Sequence, residues 1–165
     1  MHEEKVVVPE FYKFTVEEIM DKRLWDLPLI EKDTDVEHVL TVLSGKSHVW
    51  VVESKETKKL VGVITEHDIL SILAPKKLPS YVFGIPDVRT LHEATAGSIM
   101  SKKLIKCAPK TTIKAALDLM SRYGVRRLPV TENDVIIGEI TLHHIIARYH
   151  IFVQSIKKQE KIERK

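Results

Sequence analysis

Val36, Val39, Leu40 and Leu43 fall at i, i+3, i+4 and i+7, and Ile113, Ala116, Leu117 and Met120 repeat that spacing. Each set is one apolar face of a helix. Thr34 and Glu37 have capping-box spacing at the first helix start. Thr111 can cap the second, where Lys114 stands in place of the reciprocal acid. A β-rich run follows each helix, at residues 49–52 and 127–130. Polar turn residues come next, at 53–59 and 131–134, and a second apolar run at 60–64 and 135–140 closes a hairpin. Pro129 cannot donate to a ladder, so it is expected at a strand start or edge. A further helix is predicted to begin at Thr65 and at Thr141. Each half therefore reads strand, helix, strand, strand, helix (β-α-β-β-α), an α+β arrangement.

The two halves also match in wording. Thr15-Val16-Glu17-Glu18-Ile19-Met20 returns as Thr95-Ala96-Gly97-Ser98-Ile99-Met100. Gly62-Val63-Ile64-Thr65-Glu66-His67-Asp68 returns as Gly138-Glu139-Ile140-Thr141-Leu142-His143-His144. Two copies are too few for a solenoid, which argues for packing of one copy on the other about a pseudo-twofold axis, with two related clefts between them. The chain divides into a lead-in at 1–14, repeat 1 at 15–74, a linker at 75–94, repeat 2 at 95–150 and a charged helix end at 151–165. Val6-Val7-Val8 before Pro9 can add a strand to the lead-in. Pro75, Pro79, Gly84 and Pro86 break the linker, and Thr90 with Glu93 has capping-box spacing at its end.

Composition narrows the class. With 165 residues, each copy is marginal for folding alone, so mutual burial is expected. Lys and Arg total 26 against 23 Asp and Glu, a formal charge of +3, too mild to require a nucleic-acid partner. Cys107 is the sole cysteine, which rules out an internal disulfide and suits a reducing compartment. No apolar run approaches the length of a membrane span, and the charged Met1-His2-Glu3-Glu4 start is unlike a signal peptide. A soluble, cytoplasmic protein with no membrane association is expected.

The ordered set of Ile-Met, an amphipathic helix, Val125-Arg126-Arg127-Leu128-Pro129-Val130 and Gly-x-Ile-Thr-x-x-Asp (Gly62 to Asp68) resembles the CBS domain. Two tandem copies resemble a stand-alone CBS-domain pair, or Bateman module, with nothing resembling a catalytic or transport domain attached. The resemblance covers roughly residues 15–150. It implies a regulatory module that binds an adenosine-containing ligand (AMP, ADP, ATP or S-adenosylmethionine) between the repeats, signals by a change of repeat or dimer packing, and requires no other cofactor. It also implies a homodimer and an effector protein yet to be identified.

Asp68, acceptor-only when ionised, can take both hydroxyls of a ribose, and Thr65 at a helix start can donate to a phosphate. The same Thr-x-x-Asp is also a capping-box pattern, and both roles are compatible. The resemblance places the main cleft at Thr65, His67, Asp68, Ser101, Lys102, Lys103, Val125, Arg126 and Arg127. Arginine is suited to phosphate, although strand neighbours point to opposite faces. The second cleft, at Lys22, Arg23, His48, Val49, Trp50, Thr141, His143 and His144, has His144 where repeat 1 has Asp68. A neutral imidazole makes one ribose contact, so this site is expected to be the weaker. Trp50 can stack on a base, pack in the core or meet a dimer partner.

Other classes draw less support. The chain has no Walker-type loop and no nucleophile elbow. Cys107 reads as a buried strand thiol, not a nucleophile. Glu17 and Glu18 read as solvated. His143, His144 and His150 lack a metal-binding spacing, so no metal and no enzyme activity are expected. The alternatives to nucleotide sensing are a ligand-independent dimerisation scaffold and an S-adenosylmethionine-binding module. Nucleic-acid binding through Lys157, Lys158, Lys161, Arg164 and Lys165 is disfavoured by the interspersed Glu160 and Glu163. Arg126 and Arg127 favour a nucleotide.

Overall fold

The computed structural model describes residues 9–74 and 93–163. The expected strand at Val6-Val7-Val8, most of the linker, Thr90, Arg164 and Lys165 lie outside them. Two compact units emerge, one comprising the chain up to Trp25 and from Ile105 onward, the other Asp26–Leu104. These units do not follow the sequence repeats. Each holds the body of one repeat together with the Thr-x-x-x-Ile-Met segment of the other.

In the Asp26–Leu104 unit, strands β1 (Leu29–Glu31), β2 (His48–Val52) and β3 (Leu60–Thr65) form one sheet in the order β1-β2-β3. β1 runs parallel to β2, and β2 antiparallel to β3. Helix α1 (Val36–Leu43) makes the crossover between β1 and β2 and buries Val36 and Val39, as its period requires. Helix α2 (Glu66–Leu73) follows β3, and the short helix α3 (Ala96–Ile99) comes from the second repeat. Ile30, Val39, Val49, Val51, Ile64 and Ala96 form the core. β2 is buried at every residue, as the uninterrupted apolar run 49–52 suggests.

In the other unit, helix α4 (Ile113–Tyr123) precedes β4 (Arg127–Glu132), β5 (Val135–Thr141) and the long helix α5 (Leu142–Glu163). α4 ends on Gly124, whose φ of 65° is the left-handed conformation that favours glycine. Asn133 and Asp134, both at positive φ, make the two-residue hairpin turn, so Thr131 and Glu132 belong to β4 and not to the turn. Phe11, Val16, Ile113, Leu128, Val130 and Ile140 anchor this core.

Several local expectations are corrected. The α1 cap is Asp35, which accepts from the His38 N–H at 2.8 Å, rather than Thr34. The α4 cap is Thr112, which accepts from the Ala115 N–H at 3.2 Å, rather than Thr111, whose hydroxyl accepts from the Ala108 N–H. Cys107 makes only an isolated parallel bridge to Val130, not a strand. Pro129, expected at a strand start or edge, is the third residue of β4, an edge strand of the two-stranded β4-β5 sheet. Its carbonyl accepts from the Cys107 N–H, so its nitrogen lies on the side away from β5 and no ladder bond to β5 is lost. Asp35→Ala is expected to cost about 1 kcal/mol and Thr34→Ala under about 0.5 kcal/mol, in chemical denaturation of the two variants.

Candidate functional site

Four helical starts in this chain share one device. Thr-x-x-Glu at Thr15, Thr-x-x-Asp at Thr65, Thr-x-x-Ser at Thr95 and Thr-x-x-His at Thr141 each close a capping contact between the threonine and the residue three positions on. At Thr65, the backbone N–H and the Oγ1 hydroxyl both donate to Asp68 Oδ2, at 2.7 and 2.9 Å. At Thr15 both groups donate to Glu18 Oε2, so Glu18 is an exposed acid that also caps this turn. Glu17 takes an ion pair from Lys110. The signal was present in the spacing, but serine and histidine in the fourth place hid it at two of the four starts.

The structure therefore realises the capping role of Asp68 and holds its carboxyl at the first turn of α2 by these two bonds. The second repeat's front segment runs beside it. Val63, two residues before Thr65, and Ser101 exchange backbone hydrogen bonds at 3.0 and 2.9 Å. Ser101, exposed Lys102 and exposed Lys103 thereby follow the edge of β3, the strand that ends in Thr65 and leads into the α2 turn holding Asp68. Exposed His67 lies on the same first turn. On the other side of β3, His48 pairs with Thr65 and Val49 with Ile64. His48 and Trp50 are buried, with their rings edge to face at 5.1 Å between centroids. Trp50 is thus a packed side chain in this structure.

The quasi-equivalent residues gather in the other unit. Asp21 and Glu139 exchange backbone hydrogen bonds at 2.9 and 3.1 Å, which brings Asp21, Lys22 and Arg23 beside the end of β5. Arg23 grips the Asp21 carboxylate through Nε and Nη2, at 2.9 and 2.7 Å. That paired guanidinium holds the Asp21 carboxyl down at about 2. Thr141 donates its N–H to His144 Nδ1 at 3.2 Å and accepts from the His144 N–H at 3.1 Å. Arg127 pairs with Thr141 across the hairpin, and the Arg126 carbonyl accepts from the Leu142 N–H. Arg126, just ahead of β4, is exposed, and Arg127, its first residue, is half-buried. His143 is exposed on the first turn of α5, and Val125 is half-buried ahead of β4.

Thr65, His67, Asp68, Ser101, Lys102 and Lys103 thus share a unit with His48, Val49 and Trp50. Thr141, His143, His144, Lys22 and Arg23 share the other with Val125, Arg126 and Arg127. Among the described residues there is no group of three or more His, Cys, Asp or Glu that could hold a metal ion. Burial pushes the Cys107 thiol up to about 12, which leaves it protonated and unreactive at neutral pH. No helix among the described residues is long and apolar enough to cross a membrane.

A family model described as CBS domain matches residues 16–75 and 96–151. An uncharacterised protein of Methanocaldococcus jannaschii is 28% identical over 138 residues, 84% of this chain and 63% of that protein. L-aspartate semialdehyde sulfurtransferase of Methanosarcina acetivorans is 30% identical over 100 residues, 60% of this chain and 17% of that enzyme. The chain spans 34%, 63% and 54% of three of the curated relatives it matches, less than two thirds in each case. Among solved structures, CBSX2 of Arabidopsis thaliana in complex with AMP matches with a TM-score of 0.66 at 21% identity, covering 86% of this chain and 98% of that one. The CBS domain pair of protein MJ0100, in complex with 5′-methylthioadenosine and S-adenosyl-L-methionine, matches with a TM-score of 0.61 at 21% identity, covering 83% and 96%. At these identities the likeness is one of fold.

Proposed function

The chain belongs to the CBS domain family, and from that premise we propose that it is a regulatory module that binds an adenine nucleotide at the Asp68 end of the Asp26–Leu104 unit. The observation that carries this reading is the placement of an acceptor-only carboxylate on the first turn of α2, beside the strand edge that holds Ser101, Lys102 and Lys103. A ribose diol offers two hydroxyl donors to such a carboxylate. The start of α2 and the exposed Lys102 and Lys103 favour a phosphate. The complexes of CBSX2 with AMP and of MJ0100 with S-adenosylmethionine support an adenosine-containing ligand, and the lysines favour the nucleotide over the sulfonium. The proposed role is binding, not catalysis. The similarity to the sulfurtransferase covers 17% of that enzyme and leaves most of its length unmatched.

A ligand regulates only through different affinities for two states of the protein, so the output is a change of packing read by a second copy or an effector. A scaffold reading draws support from apolar residues left exposed on the helices, Leu70 and Leu73 on α2 and Ile146 and Ile151 on α5. Calorimetric titration with AMP, ADP, ATP and S-adenosylmethionine separates the two. Saturable nucleotide binding is expected, weakened roughly 10- to 100-fold in Asp68→Ala, because charge-assisted hydrogen bonds to the diol are lost. Absence of binding by all four ligands sinks the sensor reading and leaves the scaffold.

A further inference from the structure

The two repeats start their second helices with one hydrogen-bond pattern made from different chemistry. At α2 the acceptor for the Thr65 N–H is a carboxylate oxygen. At α5 the acceptor for the Thr141 N–H is His144 Nδ1. A ring nitrogen accepts only while it carries no proton, so this bond fixes the neutral tautomer with hydrogen on Nε2. Protonation turns the acceptor into a second donor facing the Thr141 N–H, and places a cation at the positive end of a helix.

We propose that the Thr141–His144 pair is a proton sensor, latching the first turn of α5 when His144 is neutral and releasing it when His144 is protonated. Charged and titratable groups surround the ring from each neighbouring element. Asp21 on the front segment and Glu139 on β5 attract a proton, while Arg23 on the front segment and His143 on α5 repel it. Arg127 on β4 is a further cation across the hairpin from Thr141. Burial of the half-buried ring outweighs the acids and draws its pKa below the ordinary 6.5. The sign follows from that direction. The folded state holds His144 neutral more firmly than the unfolded chain does, so the latch contributes fully above pH 6.5. Its contribution falls as pH drops from 6.5 toward the folded value, then levels off.

The test needs no ligand, so its failure is separate from failure of nucleotide binding. Nitrogen-15 NMR of the whole chain is expected to show a bare Nδ1 and a protonated Nε2 at pH 7.5. The Thr141 amide is expected to shift together with the His144 ring, with a midpoint below 6.5. In parallel, the melting temperature of His144→Asp is expected to fall less than that of the native chain between pH 7.5 and 5.5, by about 2–4 °C, the equivalent of one cap. A protonated Nδ1 at pH 7.5, a Thr141 amide that ignores the titration, or equal losses of melting temperature in the two proteins would overturn the proposal.

Discussion

Phe11→Ala is expected to destabilise the protein by about 3–5 kcal/mol, the range for truncating a fully buried aromatic. Phe11 is 1% exposed. Its ring lies edge to face with Tyr149 at 5.0 Å and tilted against Phe152 at 5.7 Å, and it also meets Tyr12 and Phe14. The residue belongs to the lead-in before the first repeat, while Tyr149 and Phe152 lie on α5 where the second repeat passes into the C-terminal helix end. Removal of the ring leaves a cavity lined by large side chains that close only in part, so transfer and cavity costs both fall on the unit that contains α5. Thermal unfolding of the variant is expected about 10 °C or more below the native chain. A loss of under about 1 kcal/mol in chemical denaturation would mean that this aromatic cluster is not a core. Tyr12→Phe provides the control. It keeps the ring of the half-buried neighbour and is expected to change stability by less than about 0.5 kcal/mol.

Gly138→Ala is expected to cost about 2–3 kcal/mol, and Gly62→Ala about 1 kcal/mol, although the two glycines hold equivalent places in the repeats. A Cβ on Gly138 would sit 2.5 Å from the Asp21 carbonyl oxygen, a backbone atom fixed by the two hydrogen bonds between Asp21 and Glu139. The front segment must retreat, and both bonds stretch. A Cβ on Gly62 would instead meet the Met100 side chain from Sδ back to Cβ, and a flexible thioether gives way more readily than a backbone carbonyl. Urea midpoints of the two variants measure the difference. Equal losses would mean that the front segment yields as easily as a methionine. Gly138→Ala is also expected to disturb the Asp21–Arg23 pair, since that pair is carried on the same segment.

Much of this was legible in the sequence because it is governed by neighbours along the chain. The helical faces of α1 and α4, the two hairpins and the unbroken α5 follow from period and from turn residues. The ordered motif also pointed to the family. Caps were legible only to within a residue, since Thr34 beside Asp35, and Thr111 beside Thr112, offer competing oxygens, and backbone geometry decides which one faces the free N–H. The capping contact of His144 was missed because histidine is not a usual acceptor at that place. Its acceptor role depends on a proton being absent from Nδ1, which no residue letter records.

By itself the sequence determined that the chain is two copies of one α+β design, with Asp68 in one copy replaced by His144 in the other. Only the tertiary structure decided that the copies exchange their front segments. Gly62 of the first repeat makes room for Met100 of the second, and Gly138 of the second for Met20 and Asp21 of the first. The periodicity of a sequence reports which face of an element is apolar, but not which distant segment covers it. That choice rests on close approach between residues far apart in the chain, where the missing Cβ of a glycine gains meaning only once its partner is known.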